Sequence, residues 1–200
     1  MLDRPPFDAI VLAGGGASRL GGVAKPLLTL GGSRLVDRVL RAAAAAHRRV
    51  VVGPDPRTAA ADVVTREQPP GGGPVAGLVA GLAHVDCPAV VVLAADLPFL
   101  TTETVDLLRS TLAGADDRQP PDAAVLVDDS GHEQYLIAAW RTERLRDIVS
   151  GHGQPGGSMR AVLAQAVRPA RVPAARGEGA PPPWLDCDTE EDLARARRWV

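Results

Sequence analysis

The run Ala9-Ile10-Val11-Leu12 leads directly into Ala13-Gly14-Gly15-Gly16-Ala17-Ser18-Arg19-Leu20-Gly21-Gly22, and Lys25 comes after Val23-Ala24. Four apolar residues ending in a glycine tract read as a buried strand opening into a loop. Such a loop suits a phosphate-rich ligand, because glycines let backbone N–H groups approach phosphate oxygens closely. Arg19 and Lys25 then offset the ligand's charge. Two common glycine loops are excluded. A Walker A loop needs Gly before its lysine and Ser or Thr after it, whereas Ala24 and Pro26 flank Lys25. A dinucleotide fingerprint starting at Gly14 needs glycine where Arg19 stands.

Outward from this loop, short Val/Leu/Ala runs alternate with helix-length patterns. That alternation predicts βαβ units and an α/β fold: a Rossmann-like, doubly wound, mostly parallel sheet with helices on both faces. Strands are expected at Ala9–Leu12, Arg49–Val52, Asp62–Thr65, Ala89–Leu93, Ala123–Val127, Tyr135–Trp140 and Trp184–Asp186. Helices are expected at Arg34–Ala46, Val75–His84, Thr102–Leu112, Thr142–Val149, Ser158–Gln165 and Glu190–Trp199. Ser33 is the expected N-cap of the first helix, and Thr189 with Asp192 forms a T-x-x-D capping box on the last. The alanine run Ala42–Ala46 reads as helix, since alanine has the best helix propensity. Leu193 and Trp199 are expected to dock the last helix on the sheet.

With 200 residues and no compositional break, one domain is expected over residues 1–200. Aromatics make up only 3% of the chain, so its core has to be built from Ala, Val and Leu. A net charge of −2 gives no general attraction to nucleic acid or anionic membrane. No apolar run approaches the ~18 residues of a membrane span, and Met1–Pro6 lacks a signal-peptide core; a cytoplasmic location is expected. Cys87 and Cys187 make neither a disulfide framework nor a zinc set, and His84 and His152 lack zinc-type spacing. His47, with Arg48 and Arg49, reads as a basic helix end.

In open α/β sheets ligands bind beyond the carboxyl ends of the strands, and further candidate residues fall at such ends. In Val90-Val91-Val92-Leu93-Ala94-Ala95-Asp96-Leu97-Pro98, a carboxylate comes after a buried strand and a proline stiffens the turn. Beside a triphosphate its natural work is to hold Mg²⁺, a hard cation that takes one or two carboxylates plus phosphate oxygens. The competing reading is a turn or capping aspartate. In Leu185-Asp186-Cys187-Asp188-Thr189, alternation places Asp186 and Asp188 on one face. Two carboxylates there repel unless a cation or donors lie between them; the alternative is helix capping. In Glu67-Gln68-Pro69-Pro70-Gly71-Gly72-Gly73-Pro74-Val75-Ala76-Gly77, a glycine tract enters a helix with Pro74 in its first turn, presenting free N–H groups at a positive helix end.

The pattern L-A-G-G-G-x-S-R-L-G-G-x-x-K-P-L-L, from Leu12 to Leu28, resembles the signature of nucleotidyltransferases of the molybdenum cofactor guanylyltransferase type. The resemblance extends over Gly73–Leu78, Val90–Leu100 and Leu185–Leu193. Two departures are Ala24, where the family usually has an acidic residue, and Glu190, where it usually has proline. The resemblance implies that Leu12, Ala13, Gly14, Gly15, Gly16 and Ser18 cradle an NTP, with Arg19 and Lys25 on its phosphates. It implies that Gly73, Pro74 and Gly77 close over base and ribose, with Glu67 standing in for a family aspartate. Asp96 and one of Asp186 and Asp188 would hold Mg²⁺, and Arg160 would meet the phosphate of a pterin acceptor bound by the C-terminal half.

The implied reaction transfers GMP from GTP to a molybdopterin-type cofactor and releases pyrophosphate. Arg19, Lys25 and Asp96 would be its catalytic residues, and cofactor-handling proteins its partners. Alternatives are the cytidylyl version, another small phosphorylated acceptor such as a sugar phosphate or isoprenoid precursor, and a non-catalytic nucleotide-binding domain.

Overall fold

A computed structural model describes residues 5–14, 19–20, 23–56, 58–114, 119–152, 156–175 and 177–200, with backbone only at 19–20, 23–24 and 151–152. Its central sheet has seven strands: β1 (Phe7–Leu12), β6 (Arg49–Val52), β7 (Val63–Thr65), β8 (Ala89–Ala94), β9 (Ala123–Val127), β10 (Glu133–Arg141) and β11 (Pro169–Pro173). Their order across the sheet is β11-β9-β10-β8-β1-β6-β7. β10 runs antiparallel to β8 and β9, and the remaining neighbours are parallel. Two short hairpins precede β6: β2 (Arg19–Leu20) with β3 (Val23–Ala24), and β4 (Thr29–Leu30) with β5 (Ser33–Arg34).

Alternate residues of β1 supply both faces of the sheet, as a buried parallel strand must. Ala9 and Val11 join Val36, Val39 and Leu40 of α1 (Leu35–Ala42) and Val105 and Leu108 of α3 (Thr102–Ala113). Ile10 and Leu12 join Val75, Leu78 and Leu82 of α2 (Gly73–Leu82), Leu145 of α4 (Thr142–His152) and Val162 of α5 (Met159–Leu163). Helices therefore cover both faces, and each fully buried Val or Leu contributes roughly 1.5–3 kcal/mol. α2 lies unusually close to β1, because a Cβ at Gly81 would stand 2.8 Å from Ile10 Cγ2. A third cluster of Leu30, Leu35, Phe99, Leu185, Cys187, Leu193 and Ala196 fastens the C-terminal segment and α6 (Glu190–Ala196). β1 lies between β6 and β8, and the chain winds outward from it in both directions. The crevice beyond its carboxyl end is thus the topological switch point, where such folds bind ligands.

Five local expectations are corrected. The helix over Ala42–Ala46 stops at Ala42, because Ala43 is buried and His47 N–H must reach the Phe7 carbonyl (2.8 Å) to start β6. Tertiary pairing overrides alanine's propensity there. Ser33 does not cap α1; it is spent in the β4–β5 hairpin, and Arg34 takes the N-cap position without a side-chain bond. Trp184–Asp186 forms no strand. After Pro181-Pro182-Pro183 it runs beside the Asp96 turn, to which Cys187 N–H bonds through the Asp96 carbonyl (3.2 Å). β11 was not anticipated because prolines bound it, which a sheet edge tolerates. Trp199, 43% exposed, does not dock, and Leu193 is buried not on the central sheet but in the third cluster with Leu30, Leu35 and Phe99. The Thr189–Asp192 capping box is formed.

Candidate active site

Leu12 ends β1, and three backbone bonds fix the chain at the entrance to the glycine loop. Leu12 C=O accepts from Ala95 N–H (3.0 Å), Ala13 N–H donates to Val52 C=O (2.7 Å), and Gly53 N–H donates to Thr65 C=O (2.9 Å). The start of the glycine loop, the Asp96 turn and the end of β6 are thereby locked together. Gly53 was not singled out from the sequence, yet it controls this junction. Its φ is +141°, and a Cβ there would stand 2.8 Å from Ala13 C and 2.9 Å from Gly14 N. The available signal was a glycine directly after the apolar run Val50-Val51-Val52. Gly15, Gly16 and Ser18 lie outside the described residues, as does the side chain of Arg19.

An open cleft begins beside this junction, with about 340 Å³ of empty space continuous with solvent. Its walls are Leu12, Gly14, Val52, Glu67, Gly71, Gly73, Pro74 and Gly77. The first turn of α2 forms one side, so free N–H groups and the helix's positive end face the space. Gly77 brings the helix onto Leu12, with a built Cβ 3.4 Å from Leu12 Cδ2. Glu67 is only 7% exposed, and its Oε1 accepts from Gly71 N–H (2.9 Å). The glycine tract before α5 joins the same loop, as Gly156 N–H donates to Gly72 C=O (3.1 Å). Arg160, four residues further on, is exposed in α5, and Ser158 caps that helix.

The carboxylates gather on the other side of the junction. Lys25 is buried, and its Nζ donates to Asp188 Oδ1 at 2.6 Å. Asp186 and Asp188 are exposed while Leu185 and Cys187 are buried, so the two aspartates do share a face, in extended chain rather than in a strand. Neither Asp96 nor Asp188 caps a helix: Thr101 accepts from Thr104 N–H to cap α3, and Thr189 caps α6. The capping role that competed for both carboxylates is filled by threonines. Loss of hydration pushes the Asp96 carboxyl up to about 6, and the negative charges of Asp186 and Asp188 add to that shift. Partial loss of hydration raises Asp186 in the same direction although the residue is exposed, with Asp188 adding to it. Carboxylates close enough to shift one another, one of them paired with a lysine, have the electrostatics of a cation-binding site. Hard oxygen donors of this kind fit Mg²⁺. The three carboxylates do not close into a tight triad: Asp188 is held by Lys25, and the three are not within 4.8 Å of one another as a ligand set.

These sites lie on a chain with close relatives. Residues 9–172 match the MobA-like NTP transferase domain. The molybdenum cofactor guanylyltransferase of Rhodopseudomonas palustris is 32% identical, over 99% of this chain and 96% of its own. That of Mesorhizobium japonicum is 27% identical, over 98% and 96%. Among solved structures, molybdopterin-guanine dinucleotide biosynthesis protein A from Archaeoglobus fulgidus superposes with a TM-score of 0.68. It is 22% identical, covering 96% of this chain and 97% of that one, which is a likeness of fold. A sheet whose first strand leads into Gly14 beside a cleft and a lysine–aspartate cluster, together with these matches, places the chain in the MobA-like NTP transferase family, and it is a nucleotidyltransferase.

Proposed function

We propose that the protein transfers GMP from GTP to a molybdopterin-type acceptor, releasing pyrophosphate. The observation that carries this reading is the meeting of Lys25 with Asp188 beside Asp96, next to the cleft that opens from Leu12 and Gly14. Base and ribose occupy the cleft, and the triphosphate runs from it toward Lys25 and Arg19. One domain spans the chain: its N-terminal half binds the nucleotide, and its C-terminal half, with Arg160, receives the acceptor.

Glu67 supports guanine over cytosine and adenine. Its Oε1 already accepts one backbone N–H at the cleft wall. The rest of the carboxylate is an acceptor only, and guanine presents two adjacent N–H donors on its pairing edge. Cytosine and adenine present an acceptor beside their amino group, which a carboxylate repels.

Asp96 and Asp188, with Asp186 beside them, would hold Mg²⁺, which when bound supplies charge neutralisation for the phosphates. The protein's own residues position and neutralise. Lys25 exchanges its carboxylate partner for phosphate oxygens, and the backbone at Gly14, anchored by the Ala13 N–H bond to Val52, fixes the nucleotide's approach. An oxygen of the acceptor's phosphate attacks the α-phosphorus in line as the bond to pyrophosphate breaks. No general base is needed, because a phosphate monoester is already ionised near neutral pH.

The test is a thermal-shift panel of GTP, CTP, ATP and UTP with Mg²⁺, since a selectively bound ligand raises apparent stability. It is paired with a pyrophosphate-release assay. GTP alone should shift the midpoint, and release should require a phosphorylated pterin. A CTP-selective shift would move the reading to the cytidylyl reaction, and release with glucose 1-phosphate would move it to sugar phosphates.

A further inference from the structure

At the amino-terminal end of the sheet, opposite the cleft, Asp8 of β1, His47 before β6 and Cys87 before β8 converge. One ligand atom from each lies within 4.8 Å of the others, and among the described residues no other group of His, Cys, Asp and Glu does so. Asp8 is fully buried. Its Oδ2 accepts from Asp86 N–H (2.8 Å) and Cys87 N–H (2.9 Å), which fixes the carboxylate. Its Oδ1 is shielded from water and receives no well-directed hydrogen bond. The nearest nitrogen, His47 Nδ1, stands 3.4 Å away, longer than a charge-assisted bond. His47 and the Cys87 thiol are thus the side-chain neighbours of the Asp8 carboxylate, and all three donors already face one point.

We propose that Asp8 Oδ1, His47 Nδ1 and Cys87 Sγ form a binding site for a borderline-soft divalent cation, Zn²⁺, with water as the fourth ligand. The donor set is the mixture of carboxylate, imidazole and thiolate that zinc takes in tetrahedral sites. Zinc bonds of about 2.0–2.1 Å to nitrogen and oxygen put those two atoms about 3.4 Å apart at the tetrahedral angle, which is the spacing His47 and Asp8 already have. The sulfur, within 4.8 Å of the other two atoms, must approach by at most about 1.3 Å more. The His47 side chain is 62% exposed and free to turn, and its open side admits water.

Backbone contacts anchor the chain at His47 and Cys87. His47 N–H donates to Phe7 C=O (2.8 Å), and Thr142 Oγ1 donates to Cys87 C=O (2.7 Å). Arg48 sits beside the group, paired with Asp86 at 2.6 Å. The Cys87 thiol gives its proton to solvent on binding. Asp8, the thiolate and Asp86 then balance Arg48 and the dication. The ion ties together the starts of β1, β6 and β8, about 20 Å along β1 from the glycine loop. It is a structural staple rather than a catalytic metal.

Cobalt titration of the full-length protein tests this, because only a thiolate ligand gives a sulfur-to-cobalt charge-transfer band. The aspartates of the nucleotide site cannot produce it. Wild type and Cys187→Ser should show the band at one equivalent, with Zn²⁺ abolishing it. Cys87→Ser should lack it, and His47→Ala, a change at an exposed side chain that leaves folding intact, should weaken binding by roughly tenfold or more. Absence of the band in wild type, its survival in Cys87→Ser, its loss in Cys187→Ser, or unchanged affinity in His47→Ala would each overturn the site. None of these outcomes depends on the identity of the nucleotide or acceptor.

Discussion

Lys25 and Asp188, 163 positions apart, meet as a 2.6 Å ion pair between Nζ and Oδ1. The lysine side chain is 10% exposed and the aspartate 58%. A pair with one partner so open to water contributes little to stability, of the order of 1 kcal/mol or less. In the proposed reaction each partner waits on the other until phosphate and cation arrive.

Lys25→Ala should therefore lower NTP affinity and cut turnover by roughly 10²–10³-fold, while shifting the melting temperature only slightly. Calorimetric titration with NTP, steady-state kinetics and a thermal melt separate these effects. Near-normal affinity and turnover would remove Lys25 from the phosphates.

Asp96 sets a pH dependence. Its carboxyl is raised to about 6 from an ordinary 3.8, so between those values the folded chain holds the proton more tightly than the unfolded chain. The resulting stabilisation is complete below about pH 4 and is lost as the pH rises through about 6. Divalent-cation affinity should run the other way, falling as the pH drops below about 6 and Asp96 protonates. Mg²⁺ titrations of NTP turnover at several pH values check this, and a pH-independent metal requirement would contradict it.

Asp96→Asn should raise the melting temperature of the ligand-free protein at neutral pH by a few degrees, since about 2–4 °C accompanies each kcal/mol in a chain of this size. The same change should increase the Mg²⁺ requirement and depress turnover. This pairing of gained stability with lost activity marks a residue kept charged for function. A lower melting temperature would show that Asp96 serves the fold instead.

Glu67→Gln keeps the shape of the cleft wall and replaces one acceptor with a donor. GTP affinity should fall by roughly tenfold or more, and the margin over CTP should shrink. Competition binding with the two nucleotides measures both, and an unchanged GTP dissociation constant would take Glu67 out of base recognition.

Gly53→Ala should cost about 1–3 kcal/mol, because its φ of +141° disfavours a side chain and the new Cβ would press on Ala13 and Gly14. Denaturant unfolding measures the loss, and NTP affinity should fall with it because the loop entrance moves.

The elements legible in advance were those whose local pattern and tertiary role agree. β6 and β9 fall at the expected residues, and the start of α3 is set by a threonine that caps it as such residues do. Ala42–Ala46 shows the limit: helix propensity amounts to tenths of a kcal/mol per residue, and pairing His47 with Phe7 outweighs it. The expectation for Asp186 and Asp188 had the right face for the wrong reason. Alternation survives in extended chain without a strand, because the segment bonds to the Asp96 turn instead of to a neighbouring strand.

From the sequence alone came the α/β class, the strand that leads into Gly14 and the candidate residues around it, since these depend on short-range periodicity and side-chain type. Only the folded chain decided that Lys25 faces Asp188, that Gly53 presses on Ala13, and that Asp8, His47 and Cys87 share one corner. Such encounters are set by strand order and crossover geometry, which bring together residues that no local pattern connects.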